Sequence, residues 1–244
     1  MQWVGKIKQA IKDDQFVLHF QPMQGFQAHC HGEHGEFLVR LNDDGRLIFP
    51  GEFISAAERY RLMPMLDRWV VKNAFKYLSE SGLGLKSEGT FFINLSGNSL
   101  SDKSFFNDIR AMLKQYEIKP NRICLEITET AAIDNLSDAV EFISEIRDEG
   151  FKFALDDFGA GMSSFSYLKT IPVDYLKIDG SFVLNLLTDP IDRGIVEACN
   201  TIGHAAGLQT IAEFVEDQAT ADALKEIGVD FGQGFGIQKP GPLI

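Results

Sequence analysis

Short runs rich in β-branched and aromatic residues alternate along the chain with longer stretches whose apolar residues recur every three or four positions. The short runs predict strands: FVLHFQPM from Phe16, EFLVRL from Glu36, TFFINL from Thr90, RICLEIT from Arg122, FKFALDD from Phe151, VDYLKID from Val173, LQTIAEF from Leu208 and VDFGQGF from Val229. The longer stretches predict helices at MPMLDRWVVKNAFKYLSE, SFFNDIRAMLKQYE, SDAVEFISEIRDEG and DRGIVEACNTIGHAAG. Several close on glycine, which relieves the strained backbone of a helix end. Strand–helix alternation favours a parallel sheet, because a parallel neighbour is reached only through a long crossover. About eight such units favour closure into a barrel.

The first two strands break this rule. Only a short stretch rich in His and Gly separates them, too short for a helical crossover, so they form a hairpin. The expected fold is α/β: a modified TIM (β/α)8 barrel with the first strand antiparallel. Ahead of it, Trp3, Ile7 and Ile11 recur every four residues. Residues 1–14 therefore read as a short amphipathic linker helix, and residues 15–244 as one domain.

A length of 244 residues suits one such barrel. The net charge of -12 repels nucleic-acid polymers and anionic membrane surfaces alike. A phosphate-bearing substrate would have to be met by metal ions or by a few local cations. Cys30, Cys124 and Cys199 are few, odd in number and far apart, which fits a reducing compartment and not a disulfide framework. Cys124 and Cys199 read as small core residues. No run approaches the roughly 20 apolar residues of a membrane span, and the N-terminus lacks the apolar block of a signal peptide. The expectation is a cytoplasmic domain without membrane contact, alone or as the cytoplasmic part of a larger sensor protein.

Strand residues inside a barrel should be apolar, so the polar exceptions carry the chemistry. They are Glu36, Asn94, Glu126, Asp156, Asp157, Lys177, Glu213 and Gln233, spread over the predicted strands and their C-terminal ends. In a barrel these ends converge on one mouth, where active sites form. Five acids and an Asn brought together would repel one another unless cations joined them. Such oxygen donors suit Mg²⁺ or Mn²⁺ and not zinc. The adjacent Asp156 and Asp157 allow one carboxylate to bridge two ions, and two ions can activate water for in-line attack at phosphorus. Lys177 would stay protonated among acids and act electrostatically, which leaves Glu213 as the candidate base. The tract HCHGEHGE, with His29, Cys30, His31 and His34, matches no standard zinc spacing and reads as an exposed hairpin turn. Trp69 reads as a helix residue packed on the barrel.

These residues stand in an order that resembles the EAL-domain family of cyclic di-GMP phosphodiesterases over nearly the whole chain. The motifs are QP at Gln21-Pro22, EFL at Glu36 to Leu38 followed by Arg40, NLS at Asn94, EITE at Glu126 to Glu129, DDFGAGMSS from Asp156, LKID ending at Asp179, AEFVE ending at Glu216, and QGF at Gln233. The resemblance implies hydrolysis of cyclic di-GMP to linear 5'-pGpG with two Mg²⁺ or Mn²⁺ ions. It places Glu36, Asn94, Glu126 and Asp156 on one metal, and Asp156 and Asp157 on the second with Glu213 close by. Lys177 and Glu213 would flank the nucleophilic water, and Gln233 would support it. Gln21, Leu38, Arg40, Asp179 and Glu216 would contact the dinucleotide. Glu129 would hold the loop that follows Asp157 and couple it to a homodimer interface. The resemblance also implies an upstream GGDEF or sensory domain. A cyclic di-GMP receptor with little turnover is the alternative, although this chain keeps both the metal ligands and the loop. Three positions depart from the family: Phe37 for alanine, Met162 for tyrosine and Phe214 for glycine. Strand alternation turns Phe37 away from Glu36, into the layer between barrel and helices.

Overall fold

The structure, a computed structural model, describes residues 2–86, 88–134, 136–161 and 165–243. Its strands are β1 (Phe16–Gly25), β2 (His34–Asp43), β3 (Arg46–Ile48), β4 (Phe91–Asn94), β5 (Ile123–Thr128), β6 (Lys152–Phe158), β7 (Tyr175–Ile178), β8 (Gln209–Ala212), β9 (Phe231–Gly232) and β10 (Gly241–Pro242). From β2 through β4 to β9, consecutive barrel strands pair in parallel. β1 closes the ring and runs antiparallel to both β2 and β9. The described residues thus form a closed barrel of eight strands with one reversed, and the short β3 and β10 pair at its margins. The hairpin expected at the start is the reason for the reversal. β3 and β10 were not among the expected strands, because two or three residues are too short to show a period.

Two apolar layers follow from the pleat, which sends alternate residues to opposite faces. Phe91, Ile93, Leu125, Phe153, Leu155, Leu176 and Ile178 point outward into a continuous core shared with the surrounding helices. Met23, Phe92, Cys124, Ala154, Tyr175, Ile211 and Phe231 fill the barrel interior. Phe37 takes the outward side, buried against Phe20 and Phe91 with ring centroids at 5.3 and 6.2 Å, as alternation predicts. Cys124 and Cys199 are buried.

The N-terminal helix Gln2–Lys12 packs on the domain: Ile7 and Ala10 are fully buried, Trp3 lies 6.3 Å from Phe53, and Lys6 pairs with Asp43. Trp69, in the helix Met63–Ser81, stacks near Phe16 and donates to Asp14 at 2.9 Å. No helix among the described residues is long and apolar enough to cross a membrane.

Candidate active site

The inner apolar layer explains where the polar residues go. In a strand, residue i+2 lies on the same face as residue i, one step nearer the strand's end. Phe92, Cys124, Ala154, Tyr175, Ile211 and Phe231 are inward and apolar. Two residues beyond them stand Asn94, Glu126, Asp156, Lys177, Glu213 and Gln233. Each strand therefore contributes an apolar plug and then a polar group above it, at the C-terminal mouth. Glu36 joins from β2, facing Gln21 of β1 in register.

Lys177 is buried at the centre. Its Nζ lies 2.8 Å from Glu213 Oε1, 3.0 Å from Asp156 Oδ1, 3.2 Å from Glu126 Oε1 and 3.6 Å from Glu36 Oε2. Among the described residues, every ion pair of these four carboxylates is with this one ammonium. Glu36 is further held by Gln233 Nε2 at 2.8 Å and Asn94 Nδ2 at 2.5 Å. Gln233 also donates to Gln21 Oε1 at 3.1 Å, and Gln21 donates to the Gln238 carbonyl at 3.1 Å.

The electrostatics follow from one cation facing four acids. Burial disfavours the charge on Lys177, but Asp156, Glu126, Glu213 and Glu36 outweigh it and raise its pKa well above that of an ordinary lysine. Burial also works against ionising Glu36, yet Lys177, Gln233 and Asn94 hold its carboxyl below the usual range. Glu126 goes the other way: burial and the neighbouring Glu36 push it well up, against the pull of Lys177. Burial, with Asp156 and Glu36, pushes Glu213 up to about 8 despite Lys177. Asp157 is raised by burial, Asp156 and Asp179.

Adjacent residues of a regular strand point to opposite faces, so Asp156 and Asp157 should not share a site. The β6–β7 register shifts between Leu155 and Phe158, and Asp157 adopts a left-handed φ of +55°. This bulge turns both side chains the same way. As a result, one carboxylate oxygen each from Asp156, Asp157 and Glu213 lie within 4.8 Å of one another.

The donor set fits hard divalent cations. Among the described residues, Glu126 Oε1 and Asp156 Oδ1 are buried and have no hydrogen-bond partner, Lys177 donating to Glu126 through Oε2 at 3.2 Å instead. Unpaired buried oxygens of this kind carry a desolvation cost that a cation removes. Asn94, donating from Nδ2, keeps its Oδ1 as a further oxygen donor.

Above this floor opens a cleft of about 700 Å³. Gln21, Leu38, Arg40 and Glu216, which the resemblance assigns to the dinucleotide, line it. Arg40 is half-fixed, donating from Nη1 to the Val39 carbonyl at 2.8 Å and lying 5.0 Å over the Phe49 ring. Asp179 is not among the lining residues; its Oδ1 caps the helix Gly180–Leu184 by accepting from Ser181 N at 2.7 Å. Sequence reading did not single out His19, Phe49, Leu184, Phe235 and Lys239, which also line the cleft. His19 was accessible in principle, since it lies two residues from Gln21 on the same face of β1. The others sit on loops or helix ends with no period to mark them.

Two supports lie behind the mouth. Glu129 accepts from Gly159 N at 3.0 Å and from Tyr167 Oη at 2.6 Å, tying together the two sides of the loop that follows Asp157. Met162, within that loop, lies outside the described residues. Asp67, buried in the helix Met63–Ser81, accepts from Ser96 N at 3.1 Å and from the Ser96 and Ser99 hydroxyls at 2.6 Å each. It pins the segment that follows Asn94, a role its position in a helix did not signal.

The EAL domain model matches residues 4–240. The chain belongs to the EAL domain family. Over 243 residues it is 41% identical to the cyclic di-GMP phosphodiesterase PdeB of Shewanella oneidensis, covering 99% of this chain and 28% of that protein. Over 242 residues it is 35% identical to the cyclic di-GMP phosphodiesterase PdeA of Borreliella burgdorferi, covering 97% of this chain and 35% of that one. The chain thus spans about a third of the length of these curated relatives. Among solved structures, the PaMucR phosphodiesterase in complex with c-di-GMP superposes with a TM-score of 0.91 at 30% identity, covering 99% of this chain and 98% of that one. The FimX EAL domain from Pseudomonas aeruginosa bound to c-di-GMP superposes equally, with a TM-score of 0.91 at 29% identity, covering 99% and 97%. The EAL signature here is Glu36-Phe37-Leu38, and Asn94 and Gln233 each donate a hydrogen bond to Glu36.

Proposed function

We propose that this EAL domain is a metal-dependent phosphodiesterase that opens cyclic di-GMP to linear 5'-pGpG. One observation carries the reading: a single buried ammonium faces four carboxylates on the floor of a cleft whose wall holds Arg40. The local charge is short of cations, and the unpaired oxygens are those of hard-metal ligands. The names of the similar proteins support the substrate.

In this reading, Glu36, Asn94, Glu126 and Asp156 would hold one Mg²⁺ or Mn²⁺. Asp156 and Asp157 would hold the second, with Glu213 beside it. Two such ions, when bound, lower the pKa of water and offset charge on the phosphoryl oxygens. The chain's own residues do the rest. Gln233 and Asn94 keep Glu36 ionised and aimed. Lys177 stays protonated and orients the attacking water beside Glu213. Glu213 engages Lys177 through Oε1, which leaves Oε2 to take the water proton. Water adds to phosphorus, the bond to the ribose 3' oxygen breaks, and that oxygen leaves with a proton. The product carries a terminal 5' phosphate. Arg40 offers fixed donors to the phosphate, with Gln21, Leu38, Asp179 and Glu216 as further contacts to the dinucleotide. The exposed rings of Phe214 and Phe235 give guanine bases apolar faces to stack on.

The same reading includes a homodimer, regulation through the loop tied by Glu129, a cytoplasmic setting and a GGDEF or sensory domain upstream of residues 1–14. The primary experiment is chromatographic detection of pGpG from cyclic di-GMP with Mg²⁺ or Mn²⁺. The expected result is turnover that chelation abolishes and that Glu36→Ala lacks. Tight binding of cyclic di-GMP without any pGpG would replace the enzyme with a receptor. Faster turnover of another cyclic dinucleotide in competition would change the substrate.

A further inference from the structure

The turn between β1 and β2 folds over the end of the barrel opposite the mouth. Gly25, at the end of β1, pairs with Phe231 of β9, and Asp230 immediately precedes that strand. His204 stands in the last turn of the helix Pro190–Ala205, just ahead of β8. Three segments far apart in sequence therefore meet around one carboxylate. His34, expected in the turn, instead opens β2 and is buried.

Asp230 is buried, 3% exposed, and its ion pairs among the described residues are both with imidazoles. Oδ1 lies 2.9 Å from His29 Nε2, and Oδ2 lies 2.9 Å from His204 Nε2. Oδ2 also accepts from Thr210 N at 2.8 Å. Cys30 completes the group: one ligand atom each from His29, Cys30 and Asp230 lie within 4.8 Å of one another. The turn is held in this position by Phe26 N donating to the Asp230 carbonyl at 2.7 Å and by Gln27 Nε2 donating to the Val229 carbonyl at 3.1 Å. Gly25 is required for the approach. A Cβ there would come within 2.6 Å of the Cys30 carbonyl oxygen and 2.7 Å of Cys30 Cβ.

A thiol, an imidazole and a carboxylate converging on one point are the donors of a borderline divalent transition metal, zinc above all, and differ in kind from the oxygen donors at the mouth. We propose that His29, Cys30 and Asp230 form a zinc site that staples the β1–β2 turn to the start of β9. Three protein ligands leave a fourth, tetrahedral position to water. His204 and Thr210 engage the second carboxylate oxygen and fix its orientation, as groups behind a metal ligand do. Binding sends the Cys30 thiol proton to solvent, and the thiolate becomes the ligand. The location, at the N-terminal face of the barrel, suits a structural staple and not chemistry on substrate.

The test uses the tag-free protein, stripped by chelator and titrated with Co²⁺. A thiolate bound to Co²⁺ gives a near-ultraviolet charge-transfer band, which oxygen ligands at the mouth cannot give. The expected result is a saturable band whose intensity corresponds to one thiolate–Co²⁺ bond per chain, displaced by Zn²⁺ and absent in Cys30→Ser. His29→Gln should weaken Co²⁺ binding at least about tenfold, and His204→Gln by a similar factor through the carboxylate it orients. Both retain the Asp230–Thr210 contacts, so they test the site without emptying a buried position. No band in the native chain, a band that persists in Cys30→Ser, or equal Co²⁺ affinity in His29→Gln would each overturn the site.

Discussion

The ring of Phe214 occupies the space where a side chain on Gly180 would be: a Cβ on Gly180 would lie 2.2 Å from Phe214 Cδ2 and 2.4 Å from Cγ. Phe214 itself has a φ of +52°, a conformation that disfavours residues with a Cβ. A glycine at this position would be unstrained there, and the Phe is accommodated because residue 180 is a glycine. Gly180→Ala should therefore cost about 1–3 kcal/mol through the forced displacement of the ring. In a Phe214→Gly background the same alanine should stabilise by about 0.5–1 kcal/mol, since it then only improves a helical position. Urea denaturation of the four proteins of this cycle measures the coupling, and strictly additive effects would refute the contact.

Glu129 uses one oxygen on each side of the loop after Asp157. Replacing it with alanine leaves Gly159 N and the buried Tyr167 hydroxyl without this acceptor. The expected loss is about 1–3 kcal/mol of stability, together with weaker Mn²⁺ binding and slower turnover. Unchanged metal affinity and turnover in Glu129→Ala would remove the loop from any regulatory role.

Metal binding at the mouth should release protons. In the free site burial and like charge push Glu126 well above the usual carboxyl range and Glu213 up to about 8, so Glu213 carries its proton at neutral pH and Glu126 holds its proton more tightly than an ordinary carboxyl. A divalent cation favours their ionised forms and expels those protons. The release should fall as pH rises through about 8, where Glu213 is already ionised. Calorimetric Mn²⁺ titrations in two buffers of different ionisation enthalpy count the protons. Glu213→Gln should lower the count at pH 7 by close to one proton, and an unchanged count would contradict the assignment.

Burial raises Asp67 from 3.8 to about 6, although the two serines donating to it oppose the rise. A folded-state pKa above the unfolded value means the native state holds the proton more tightly. This contribution is fully present below about pH 4 and is lost as pH rises through about 6, with no further change above. A shift from 3.8 to about 6 corresponds to roughly 3 kcal/mol. Asp67→Asn should therefore lack this downward slope. Denaturant midpoints of both proteins between pH 4.5 and 7.5 give the comparison, and parallel curves would show that Asp67 does not titrate.

Much of the mouth was legible because a strand's period of two is local. Phe92 followed by Asn94, or Tyr175 followed by Lys177, tells from sequence alone that a polar group sits on the inward face one step above an apolar one. The hairpin at the start likewise announced the reversed first strand through the shortness of its connection. The bulge was not legible. Asp156 and Asp157 are neighbours in sequence, and regular alternation would have separated them; only the register slip against β7 brings both to Glu213. Asp67 carried no signal either, since a carboxylate in a helix is ordinarily solvated and its serine partners lie about thirty residues away.

The sequence by itself determined the alternation of strands and helices, the reversed first strand and the inward polar positions, because each depends on periods and connection lengths within a few residues. Tertiary structure alone decided which groups touch. Closing the barrel through β1 and β9 joined Gln21 to Gln233, and it carried the His29–Cys30 turn, which reads in sequence as an exposed loop, onto the buried Asp230 beside His204. Contacts of this kind join residues up to about two hundred positions apart, and no local pattern encodes the distance between them before the ring is shut.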